Sequence, residues 1–433
     1  MTSPSEAIRS SRCGNGFGNR EPRSNPSPSV PFDATCDDRP HGPTANIDPG
    51  LRDDPARRAM KFVSVLTSDA RGGAEFAAAA MLEALIGHGH EAVMLSDQPE
   101  IARELGVPSE PLELGPKLST RSYRRLAVTW PRELRRLRAG LEAQRPYDVL
   151  IVHYKKEQLL ASMLPAALRP VLLWAEWGPV PFPMRRGLPR RAYLAAARRT
   201  SAVMAVSAGT RASVCDVGVP GGKVVVVPNA VSPDEIEFRP EGRERIRAEL
   251  GIPHEEFVVG CVSRLHPKKR NDVVVDAVEM LDERTHLILA GNGETEAALR
   301  KQAEGLGDRA HFIPTPGRDT IAEVLSAFDL SVFCPSPTEG APRAVILGML
   351  AERPCLATGA EGVADMIDST IGGISVPEDD GPALAELIRP YLADPGMATR
   401  QGKRARRLAI ERYSPEAVSG RIENLVQRTD RPV

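Results

Sequence analysis

The stretch Val258-Val-Gly-Cys-Val-Ser-Arg-Leu-His-Pro-Lys-Lys-Arg-Asn-Asp-Val-Val-Val-Asp-Ala-Val-Glu-Met-Leu281 decides how the chain is read. It opens on an apolar run of strand length, passes through a short basic loop around Pro267, and closes on apolar residues at helical spacing. The pattern predicts a strand, a turn and a helix. Arg264 falls at the strand's end, and Lys268 and Lys269 lie just before the helix, so cations collect where a helix presents unpaired backbone N–H groups. A forked guanidinium, ammonium charges and the positive end of a helix dipole together suit a phosphate or diphosphate. A merely solvated basic loop is the competing reading of these residues.

The same alternation runs outward in both directions. Upstream, strands are expected at Lys61–Leu66, Glu91–Ser96, Tyr147–Val152, Pro170–Trp174, Ser201–Val206 and Val224–Val227, with a helix from Glu75 to about Gly87. Downstream they are expected at Phe257–Ser263, His286–Ala290, Ala310–Ile313, Leu330–Cys334, Cys355–Thr358 and Gly373–Val376. Strands alternating with helices argue an α/β fold of parallel sheets covered on both faces. The turn formers of Pro228-Asn-Ala-Val-Ser-Pro-Asp234 mark a domain boundary. Residues 1–58 are rich in Ser, Pro, Asn, Asp, Gly and Arg with almost no aliphatic content, and a disordered tail is expected there. The domains are then 59–230 and 231–412, with a terminal helix in 413–433.

Bulk composition narrows the function. With 56 basic against 57 acidic residues in 433, no global field points to nucleic acid, and a basic footprint must be local. The cysteines at 13, 36, 215, 261, 334 and 355 form no C-x-x-C pair, so reduced thiols are expected rather than bridges or a metal site. No apolar run reaches the roughly 18 residues a membrane span needs, and the start of the chain lacks the apolar core of a secretory signal. A cytoplasmic protein is expected. Between Arg121 and Arg138 seven arginines share a segment with leucines at helical spacing (Leu134, Leu137, Leu141). It reads either as a solvated helix packed on the sheet by its leucines or as a peripheral membrane contact.

Four motifs in order carry a resemblance. Gly72-Gly73-Ala74-Glu75, Val224-Val-Val-Val-Pro-Asn-Ala-Val231, Arg264-Leu265-x-x-x-Lys269 and Pro335-Ser-Pro-Thr-Glu339-Gly-Ala-Pro342 together resemble glycosyltransferase family 4, from about residue 60 to the C-terminus. The resemblance implies the GT-B fold, two Rossmann-like domains facing each other across a cleft, with the last helix crossing back onto the first domain. It implies retaining transfer of a sugar from a nucleotide-diphosphate sugar to a hydroxyl acceptor, without a metal or other cofactor. Arg264 and Lys269 would grip the diphosphate, and Glu339 would lie beside the donor sugar; these three are the expected catalytic residues. Gly72, Gly73, Asn292, Ile313, Gly340, Arg343 and Ala344 would bind the donor, the last two through backbone N–H groups at a helix start. The acceptor is left open among glycan, lipid-linked and natural-product molecules.

The chain departs from the family pattern in three places. Arg270 replaces a glycine. Leu347 stands where the second glutamate of a Glu-x7-Glu element would bind ribose hydroxyls, work an alkyl group cannot do, with Arg343, Glu352 or Asp365 as substitutes. Trp177, in Glu176-Trp177-Gly178, stands where a histidine would be, and an aromatic ring stacks on a sugar but shuttles no proton. His153, at a neighbouring strand end, is the candidate to share that crevice with Glu176 and Trp177. The departures at Leu347 and Trp177 keep in view a catalytically impaired nucleotide-sugar-binding protein; a GT-B sugar-nucleotide epimerase, which would need an acid/base set in the crevice, is a further alternative.

Overall fold

The computed structural model describes residues 58–68, 73–115, 118, 123–336, 340–358, 362–363, 366–367, 370–372, 375–376 and 380–429; residues 1–57 of the expected tail, Gly72, Glu339 and Asp365 lie outside the described residues. The first lobe runs β1 (Lys61–Leu66), α1 (Gly73–Gly87), β2 (Glu91–Ser96), α2 (Pro99–Glu104), β3 (Ser109–Pro111), α3 (Tyr123–Ala143), β4 (Val149–Val152), α4 (Lys155–Met163), β5 (Val171–Glu176), α5 (Gly187–Ala197), β6 (Ala202–Ala205), α6 (Ala208–Val217) and β7 (Val224–Val226). The second runs α7 (Pro240–Glu249), β8 (Phe257–Val262), α8 (Asn271–Glu279), β9 (Thr285–Ala290), α9 (Glu296–Gln302), β10 (Ala310–Ile313), α10 (Ile321–Ala327), β11 (Leu330–Phe333), α11 (Arg343–Leu350), β12 (Cys355–Thr358) and β13 (Ser375–Val376). Three helices follow, α12 (Gly381–Ala393), α13 (Pro395–Tyr413) and α14 (Pro415–Thr429).

Both sheets are parallel, ordered β3-β2-β1-β4-β5-β6-β7 and β10-β9-β8-β11-β12-β13. Strands such as Val149–Val152 and Leu330–Phe333 are buried along their whole length, which is why they read as continuous apolar runs rather than as alternation. Each strand order reverses once, between β1 and β4 and between β8 and β11. At such a reversal the helices diverge to opposite faces and leave a crevice at the carboxyl ends of the strands. The loop after β8 carries Arg264 to Arg270, and the loop after β11 leads to Gly340 and α11, so both flank the second crevice.

The expected strands at Lys61–Leu66, Glu91–Ser96, Ala310–Ile313 and Cys355–Thr358 coincide with β1, β2, β10 and β12. The strand expected to stop at Trp174 instead continues through Glu176 as β5. On α3, Leu137 and Leu141 are fully buried and Leu134 packs beside them, while Arg132, Arg135 and Arg138 are exposed. That is the arrangement of a solvated helix docked by its leucines. The final helix α14 packs against α1, its Val418, Ile422, Leu425 and Val426 joining the core cluster of Phe62, Leu82 and Leu85. Glu423 of α14 accepts from His88 Nδ1 (3.2 Å) and His90 Nε2 (3.0 Å) of the first lobe.

Candidate functional site

The loop after β8 is built by its neighbours. Leu265 N–H donates to the Asn292 carbonyl (3.0 Å), so the ends of β8 and β9 are tied together. A Cβ on Gly293 would lie 2.0 Å from the Leu265 carbonyl oxygen, and only glycine permits that approach. Pro267–Lys269 form one 3-10 turn, in which His266 Nδ1 accepts from the Lys268 N–H (3.1 Å). Lys269 Nζ sits 5.1 Å from the ring centre of Phe333, at the end of β11. Ser336 N–H donates to the Lys268 carbonyl (2.8 Å), which ties the loop after β11 to the basic turn. The Arg264 side chain is exposed and makes no hydrogen bond or ion pair among the described residues, its backbone carbonyl alone accepting from His266 N–H (2.9 Å). An unpaired guanidinium beside a fixed ammonium, next to a sheet crevice, is a place for an anion. Arg270 adopts φ 48° and ψ 42°, the left-handed conformation for which glycine is the usual residue, and forks onto the Asp272 carboxylate (2.8 and 3.1 Å).

Of the other donor-side residues, Asn292 is exposed, with its Oδ1 accepting from Thr315 N–H (2.6 Å), and the Ile313 carbonyl accepts from Gly291 N–H (2.9 Å). Helix α11 starts at Arg343 after Pro342, so the Arg343 and Ala344 N–H groups are the first of its open turn. The Arg343 side chain points elsewhere, to Glu235 Oε2 (3.2 Å) and the Ala230 carbonyl (3.5 Å). It is committed to the linker between the lobes, which removes it as the stand-in for the missing ribose carboxylate. Leu347, one turn on, packs with Ala344 against the second lobe's core.

The first lobe supplies the facing wall. A Cβ on Gly340 would lie 2.2 Å from the Trp177 carbonyl oxygen and 3.0 Å from Gly178 Cα, so the two lobes meet backbone to backbone at this point. Gly73 opens α1, and a Cβ there would meet no described atom within 4 Å. His153 does not line the crevice: it is 2% exposed, its Nε2 bonds Ser64 Oγ (2.7 Å), and its Nδ1 accepts from the Trp177 indole N–H (3.2 Å). Burial pushes its pKa down to about 3. As a neutral ring it accepts from the indole and holds Trp177 in place. Glu176 lines a small pocket with Trp177, Pro228 and Asn229, but its carboxylate is held from within the lobe. Because β5 extends through it, the pleat turns its carboxylate inward, where it is 4% exposed and bound by Lys155 and by Tyr193 Oη (2.9 Å).

Sequence reasoning missed a further layer. Glu157 is fully buried and accepts from Thr67 N–H (3.0 Å) and Tyr154 N–H (2.7 Å); burial pushes its pKa up to about 6 against those hydrogen bonds. Tyr154 Oη donates to Glu75, at the head of α1. These groups fix the approaches to the loop after β1. Asn229 Nδ2 donates to the Ala341 carbonyl (2.9 Å) across the lobes. The signals available for Asn229 were its place in a turn-forming linker and in the second of the four family motifs.

Known proteins place this geometry. The family model "Glycosyl transferases group 1" matches residues 242–408 and "Glycosyltransferase Family 4" matches residues 71–235, one for each lobe. The chain belongs to the GT-B glycosyltransferases. The D-inositol 3-phosphate glycosyltransferase of Streptomyces avermitilis is 32% identical over 203 residues, 43% of this chain and 43% of that one. The 2-deoxystreptamine glucosyltransferase of Streptomyces kanamyceticus is 28% identical over 231 residues, 51% of this chain and 56% of that one. The chain spans about half the length of the curated relatives it matches. Anabaena HepE in complex with UDP superposes with a TM-score of 0.72 at 20% identity, over 85% of this chain and 100% of that one, a likeness of fold.

No group of three or more His, Cys, Asp or Glu among the described residues is arranged to hold a metal. Among the described residues, the loop after β8 brings the side-chain charges of Arg264, Lys268 and Lys269 to this crevice. Cys215, Cys261, Cys334 and Cys355 are unbridged, and burial pushes the Cys261 thiol up to about 11, so it is not a nucleophile at neutral pH.

Proposed function

We propose that this protein transfers a sugar, with retention of anomeric configuration, from a nucleotide-diphosphate sugar to a hydroxyl of a small polyhydroxylated acceptor. The observation that carries the proposal is the unpaired Arg264 beside Lys269, at the crevice whose far wall is the Trp177–Gly178 backbone. The bond from the sugar's anomeric carbon to the diphosphate breaks, and its electron pair moves onto the departing phosphate. Arg264, Lys269 and the first N–H groups of α11 stabilise that charge. The acceptor oxygen bonds to the anomeric carbon on the same face, and its proton passes to the phosphate oxygen, so no protein base is required. The cyclitol acceptors printed in the names of two relatives support a compact ring polyol as the acceptor class.

Loss of one such preorganised donor lowers turnover by about 10²–10³-fold. Arg264→Ala and Lys269→Ala are therefore expected to lower nucleoside-diphosphate release from a panel of UDP-, GDP-, ADP- and TDP-sugars by that factor. Release unchanged in both variants would remove the proposal. One observation favours a second reading, a nucleotide-sugar binder with little turnover: Leu347 is packed into the core where a ribose-binding carboxylate is wanted. Thermal stabilisation by a nucleoside diphosphate with no release from any donor would select it.

A further inference from the structure

At the hinge between the lobes lies a cavity of about 140 Å³ that the sugar-transfer reading does not use. It is walled by the start of α6 (Ser207), by Asn229 of the linker, by Ile346 of α11 and by Met366, and it is closed by Arg412 and Arg421 from the last two helices. No carboxylate lines it among the described residues. Arg421 is half-buried and makes no hydrogen bond or ion pair among the described residues. Burial holds its guanidinium below the usual range, with Tyr413 opposing and the Arg412 cation adding to the shift. Asn229 is 5% exposed, and its Nδ2 is fixed on the Ala341 carbonyl, so Oδ1 is its acceptor; that oxygen has no partner. A half-buried cation without a counter-charge, beside a buried acceptor without a donor around one cavity, favours an occupant that supplies both.

We propose that this cavity is a binding site for a small phosphate monoester carrying a hydroxyl, with the phosphate on Arg421 and Arg412 and the hydroxyl donating to Asn229 Oδ1. The size fits, since a cavity of about 150 Å³ takes a benzene ring. The occupant would touch the first lobe, the second lobe and the crossing helices at once, so its binding favours this apposition of the lobes over an opened one. Its lining adjoins Gly340 through Ala341 but includes none of Arg264, Lys268 or Lys269, so its failure is distinguishable from failure of the donor crevice.

The test is thermal unfolding of the full chain in inorganic phosphate, and separately in glycerol 3-phosphate, each against chloride at equal ionic strength. At 10 mM the wild type is expected to gain about 3–5 °C over chloride. The ester should match or exceed the free ion, because only the ester supplies the hydroxyl. Arg264→Ala, which empties the donor crevice of its guanidinium, should keep the gain. Arg421→Met should abolish it while unfolding in chloride no lower than the wild type, since Arg421 makes no polar contact to lose, and Arg421→Lys should restore part of it. No gain in the wild type, or a gain that survives in Arg421→Met and disappears in Arg264→Ala, overturns the proposal.

Discussion

Arg270 holds a left-handed backbone that costs a non-glycine residue about 1–2 kcal/mol, partly offset by its fork onto Asp272. That pair is substantially exposed and contributes little. Arg270→Gly is therefore expected to raise stability by up to about 1 kcal/mol in denaturant titration; a loss would show that the Asp272 pair outweighs the strain. The sequence displayed the replaced glycine but not that the backbone had kept the glycine's shape. His153 gives a pH prediction. Its folded pKa is depressed to about 3 from 6.5, so its stabilising effect is complete above 6.5 and is lost as pH falls toward 3. Each unit of acidification in that window costs about 1.4 kcal/mol. Glu157, raised from 4.5 to about 6, works the other way between 6 and 4.5, so a raw stability curve blends the two. The stability difference between wild type and His153→Asn isolates the histidine and should shrink as pH falls from 6.5 to 4; a flat difference would refute the depressed pKa. His153 looked like a crevice residue because its strand end was legible, whereas its partners Ser64 and Trp177 are brought to it by other strands.

The elements were the most legible level, because a strand buried on both faces must be apolar throughout. The three-residue β3, Ser109-Glu-Pro111, has no apolar residue and escaped notice. Glu176 was assigned to a loop for a similar reason: a carboxylate seldom ends a buried strand unless an ammonium such as Lys155 is folded against it. At the start of α11, Gly340 leaves no room for a Cβ against the Trp177 carbonyl, and both sides of that contact are backbone. Gly340→Ala must push the lobes apart, and misplacement of reacting groups by about 1 Å costs about 10² in rate. We expect a drop of that order in turnover, with a larger radius of gyration by small-angle scattering. Wild-type turnover in this variant would mean that the contact is not part of the working geometry.

At the scale of the molecule, the doubled α/β pattern was visible in the chain, while the charges joining the lobes were not. Glu83 on α1 faces Glu235, Arg318 and Arg343 of the second lobe, residues far apart in sequence that no periodicity connects. Burial first, and then the Glu235 charge, raises the Glu83 pKa above 4.5. A carboxylate raised in this way stabilises the joined lobes most below that value and progressively less as pH rises above it. Glu83→Gln should flatten this dependence and make the lobes harder to separate at neutral pH, read by thermal unfolding at pH 5 and 8; an unchanged dependence would place its origin elsewhere.

The docking of α14 also bears on biosynthesis. The first lobe's core includes Val418, Ile422, Leu425 and Val426, so the portion translated first cannot seal its hydrophobic interior until α14 has been made. During elongation the first lobe keeps an open apolar seam, and it closes only when α14 emerges and docks on α1.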